Sequence, residues 1–134
     1  MKRRSSTAAE LPANTVQPLG DIEPAALRAW AAEQGQHLVE IDLGTCRDKS
    51  EVLRAIATAL ALPSWFGANL DALYDALTDL PGRQTGTGYV IVLDRLPATR
   101  GFGPGPRRAL LDVFRDAADD YAQAGIAFRV LTRD

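Results

Sequence analysis

Three carboxylates spaced four residues apart, Asp71, Asp75 and Asp79, lie in the stretch PSWFGANLDALYDALTD at residues 63–79. Trp65, Phe66 and Gly67 stand just before them, and no lysine or arginine occurs from residue 55 to residue 82. On a helix this spacing places the three acids on one side, drifting by about 40° with each step of four. Like charges so placed cost a helix about 0.2–0.5 kcal/mol per pair. Helix stability therefore does not account for the row. It is either a solvated face or a surface that meets something positively charged.

Other chemistries fit less well. Asp71 and Asp75 are neighbours, but acid/base carboxylate pairs work in clefts with desolvating walls, and this spacing describes an exposed helical side. A metal shared by Asp71, Asp75 and Asp79 has the turn-to-turn distance against it. His37, the one histidine, has no cysteine or carboxylate at metal-like spacing and cannot alone support a Ser/His/Asp arrangement. The glycines of PGRQTGTG at residues 81–88 lack the Lys-Ser/Thr of a phosphate loop, and GFGPGP at residues 101–106 has no strand directly before it. No enzyme, metal or cofactor is expected.

A chain of 134 residues fits one domain with a true core. Its 46% hydrophobic and 24% charged residues are ordinary for a globular protein. A net charge of −2 gives no bulk field for nucleic acid, so electrostatics must act through local pattern. The basic N-terminus has no apolar region of the secretory kind, no stretch approaches a membrane span, and Cys46 alone forms no internal disulfide. A cytoplasmic protein is expected, with neither membrane nor nucleic acid as a partner.

The elements that must position the acids follow from period and punctuation. Residues 1–20 have none and are expected to be a disordered tail. Residues 21–35 read as a helix, with Pro24 at its start, Gly35 at its stop, and Leu27, Trp30 and Ala31 on one face. Residues 38–43 alternate as a strand. Residues 48–62 form the next helix, opened by Asp48 and Glu51 in the manner of a capping box and stopped by Pro63. Gly67 permits a turn and Asn69 caps a helix over residues 70–80, with Leu70, Leu73 and Leu77 inward and Tyr74 at the edge of the acidic face. Residues 81–88 read as a loop. YVIVL at residues 89–93 has the look of a strand covered on both faces. After a loop over residues 94–105, a helix over residues 106–124 buries Leu110, Leu111, Phe114, Ala118 and Tyr121, with Asp112, Asp116, Asp119 and Asp120 along another side and Arg107, Arg108 and Arg115 in partial balance. A third strand, residues 126–132, ends the chain. The fold class expected is α/β, a small three-stranded parallel sheet packed with helices. The domain is expected over residues 21–134, with an additional N-terminal helix at 21–36 and a core at 37–134.

LALPSWFGANLDALYDALTD resembles the signature of the barstar family, intracellular inhibitors of secreted bacterial ribonucleases of the barnase type. Ala61-Leu62-Pro63, the aromatic pair Trp65-Phe66, Gly67, Asn69 to Leu73, Tyr74 and Asp75 carry the likeness, and VFRDAADD fits the family's last helix. The resemblance implies an acidic helix and preceding aromatic loop that plug the basic active site of a ribonuclease or toxin nuclease in a 1:1 complex. Asp75 would be the anchor, with Asp71, Tyr74, Trp65, Phe66, Gly67, Asn69 and Asp79 around it and Asp116 and Asp120 as rim charges. The sequence departs from the family pattern at Trp65-Phe66, where tyrosines are usual, at Ala68, where an acid is usual, at Asp79, where a glycine is usual, and at Arg83, a cation beside an acidic surface. These departures leave open a non-inhibitory interaction domain that binds another basic protein.

Overall fold

The computed structural model describes Ala8, residues 11–63 and residues 69–134. Four parallel strands form one sheet: β1 (Val16–Pro18), β2 (His37–Asp42), β3 (Tyr89–Asp94) and β4 (Phe128–Arg133), in the order β1-β4-β3-β2. Four longer helices pack on it: α1 (Pro24–Glu33), α2 (Lys49–Ala59), α3 (Leu70–Leu77) and α5 (Pro104–Gln123). A short helix, α4 (Pro81–Thr85), joins α3 to β3.

Local chemistry sets the boundaries. The Asp48 carboxylate accepts the Glu51 N–H at 2.9 Å, and Glu51 reaches back to the Arg47 N–H at 2.7 Å, one residue beyond a standard capping box. Pro24 opens α1, where its missing N–H costs nothing. All five residues of YVIVL are buried, as a central parallel strand requires.

The α/β class agrees with the sequence reading, but the sheet has four strands where three were expected. The fourth, β1, lies within the segment read as a tail. Val16 pairs with Val130 and Pro18 with Thr132. Three residues are too few to show a period, so the strand is invisible locally. Asn14, whose φ of 57° is left-handed, ties this segment down. Its side-chain amide donates to the carbonyls of Ala118 at 3.1 Å and Ile126 at 2.9 Å. A second correction falls at residues 81–88, read as a loop, where Pro81 opens α4.

The strand order explains the layering. β2, β3 and β4 advance one way across the sheet, whereas the connection from β1 to β2 returns the other way. Right-handed crossovers then demand helices on opposite faces. Ile91, Leu93 and Val130 accordingly pack into the core with α2, α3 and α5, and Val90, Val92 and Leu131 pack with Leu27 and Ala31 of α1.

Candidate functional site

The acidic surface is a groove between α3 and α5. Asn69 accepts the Ala72 N–H at 2.8 Å, and that cap sets where α3 begins. Leu73 and Leu77 are fully buried, which turns Asp71 and Asp75 outward and leaves Tyr74 half-buried. On α5, burial of Phe114, Ala117, Ala118 and Tyr121 turns Asp116 and Asp119 outward and leaves Asp120 partly covered. The two helices are tied by the Tyr121 hydroxyl, which donates to the Leu77 carbonyl at 2.6 Å. Burial, with Tyr89 adding to it, pushes the Tyr121 phenol well above its ordinary range, so it stays a donor.

Between them lies an open groove of about 600 Å³, lined by Leu70, Asp71, Tyr74, Asp75, Val113, Asp116, Asp119, Asp120 and Gln123. Asp71, Asp75, Asp116 and Asp119 make no ion pair with any of the described residues. Asp120 does. Arg83, from α4, donates through Nε to its Oδ2 at 2.9 Å and lies over the Tyr121 ring, 5.5 Å from the centroid. That hydrogen bond holds the Arg83 guanidinium above its usual proton affinity.

The structure thus brings together Asp71, Tyr74, Asp75, Asp116 and Asp120 of the sequence-derived site. Asp79 lies beyond the groove lining, within 3.5 Å of the Gln84 amide. The Asn69 oxygen serves as the helix cap. Trp65, Phe66 and Gly67 lie outside the described residues. Asp119, a groove residue, was not among the expected site residues. Its spacing from Asp116 and Gln123, three and four residues, already placed it on their face.

The segment ahead of α3 starts from a defined turn. Ala61 adopts φ 51°, with the Leu62 N–H on the Ala57 carbonyl at 2.9 Å and the Ala61 N–H on the Thr58 carbonyl at 3.2 Å. This left-handed cap ends α2 two residues before Pro63, the stop read from the sequence, with alanine where glycine is usual.

Residues 36–133 match the family model described as Barstar (barnase inhibitor). The chain belongs to the barstar family. The match takes in the groove helices, α4 and strands β2 to β4, and it leaves β1 and α1 outside. No curated protein matches the chain. The family is described by its inhibition of barnase, and the α3–α5 groove lies within the matched residues. Among the described residues no helix is long and apolar enough to cross a membrane.

Proposed function

We propose that the protein is a stoichiometric inhibitor of a basic ribonuclease, which it blocks by seating the α3–α5 groove and the segment before α3 on the enzyme's phosphate-binding site. The observation that supports this most is the set of four aspartates, Asp71, Asp75, Asp116 and Asp119, gathered without a counter-cation among the described residues. Among them Asp75 would stand in for a substrate phosphate. Arginines and lysines that hold phosphate form charge-assisted, often bidentate hydrogen bonds with carboxylates as well. Asp75 is the central anchor and Asp71 its neighbour one turn away. Tyr74 gives an aromatic contact, and the preceding segment carries two further aromatics, Trp65 and Phe66, for the same use. Binding relieves the repulsion among the acids, and their field speeds encounter. Speed matters in a cytoplasm where a free ribonuclease would destroy RNA. The role needs no catalysis, metal or cofactor.

Titrating the activity of basic microbial ribonucleases and toxin nucleases with the protein tests the reading. Activity is expected to fall linearly to a break at one equivalent. Full activity of the whole panel at stoichiometric protein overturns it. The Arg83–Asp120 pair, with Asp79 outside the groove, favours as a second reading a non-inhibitory domain that binds a different basic protein. Capture of a basic partner that keeps its activity in the complex would select that reading.

A further inference from the structure

We propose that Arg83 is a specificity-determining residue of the acidic groove: by occupying Asp120 it takes the place of a partner's guanidinium and turns cations away from that corner. The inference rests on the inhibitor reading and extends it to the chemistry of the partner's surface. That surface is basic opposite Asp71, Asp75, Asp116 and Asp119, and neutral or acidic opposite Arg83.

The placement of Arg83 is built into the fold. Its predecessor, Gly82, is buried, and the Gly82 N–H donates to the Tyr89 hydroxyl at 3.1 Å. A Cβ at this position would come within 2.5 Å of a Tyr89 ring carbon, so the backbone is seated directly against the ring and only glycine fits. With α4 fixed there, Arg83 meets Asp120 on one side and the Tyr121 ring on another, and both members of the ion pair are less than one-third exposed. Tyr121 is itself anchored to α3 through the Leu77 carbonyl. The guanidinium is therefore held against Asp120, at the edge of the groove, by two contacts and is not a free surface charge. A partner cation arriving at Asp120 would have to displace it or face a like charge at close range. Such rim charges choose partners by whom they repel as much as by whom they attract.

Calorimetric titration of an oligoarginine peptide, and in parallel of a basic ribonuclease, into the parent, Arg83→Gln and Arg83→Lys proteins at low and high salt tests the proposal. Arg83→Gln is expected to bind oligoarginine about fivefold to tenfold more tightly, with a steeper salt dependence, and Arg83→Lys to stay near the parent. Unchanged or weaker binding by Arg83→Gln overturns the proposal, as does failure of both parent and variant to bind the peptide. If the parent binds oligoarginine yet inhibits no ribonuclease, the inhibitor reading fails alone, and the Gln variant still decides the role of Arg83.

Discussion

Two acidic regions of the molecule are treated in opposite ways. On the strands and just beyond their ends, carboxylates are matched with arginines: Glu40 with Arg28, Asp42 with Arg95, Asp94 with Arg133 and Asp134 with Arg107, at 2.6–2.8 Å. In the groove, four of five aspartates have no such match among the described residues, and the fifth takes Arg83. The same residue type serves the fold in one place and is held open in the other. Arginine is not scarce in the chain. Its absence from residues 55–82 leaves the α3 acids without a cation on their own helix.

The contrast can be broken most sharply at Asp75. Asp75→Ala is expected to weaken the complex with the target nuclease by about 2–4 kcal/mol, on the general scale of interface anchors to which this family's best-known complex contributes an example. Its folding stability should change by no more than about 0.5 kcal/mol, because the side chain is exposed. Equal affinity of variant and parent would remove Asp75 from the centre of the site. Asn14→Ala should do the reverse. Losing the two hydrogen bonds that hold the β1 segment to α5 and to Ile126 should cost about 1–2 kcal/mol in denaturant unfolding, with the nuclease affinity unchanged. A parental unfolding midpoint would return the N-terminal segment to the status of a tail.

Acid sharpens the comparison further. The hydrogen bond from Arg28 holds the Glu40 carboxyl below its ordinary 4.5, and those from Arg95 and then the Gly44 N–H hold Asp42 below its ordinary 3.8. A carboxyl whose folded value is depressed contributes its full stability above the unfolded value and loses it as pH falls through the folded one. Unfolding midpoints should therefore hold from neutral pH to about 4.5 and then decline. Replacing Arg28 and Arg95 by glutamine should flatten that decline, and an unaltered acid limb would show that these pairs do not serve the fold. The smallest effect is expected at Asp79. Asp79→Ala should mainly slow association and lessen its salt dependence, with dissociation nearly unchanged, in stopped-flow measurements. A large rise in dissociation rate would place Asp79 inside the contact.

Much of this was legible in the sequence where the signal is local. The period of α3 separates Leu73 and Leu77 from Asp71 and Asp75. The caps Asp48 and Asn69 act within three residues, and the unbroken apolar run of β3 marks a strand covered on both faces. These depend on geometry that repeats every turn or every second residue. Tertiary structure alone decided the rest. Arg95 lies 53 residues from Asp42, Arg133 is 39 from Asp94 and Arg83 is 37 from Asp120, and no local period links such positions. Nor could three residues announce β1, which exists because β4 offers it an edge and α5 offers Asn14 a carbonyl. The sequence by itself determined that acids gather on α3, with no cation from residue 55 to residue 82, and again along α5 beside Arg115. Only the packing of those helices side by side made the two rows one groove, and only the fixed backbone of α4 placed Arg83 on Asp120.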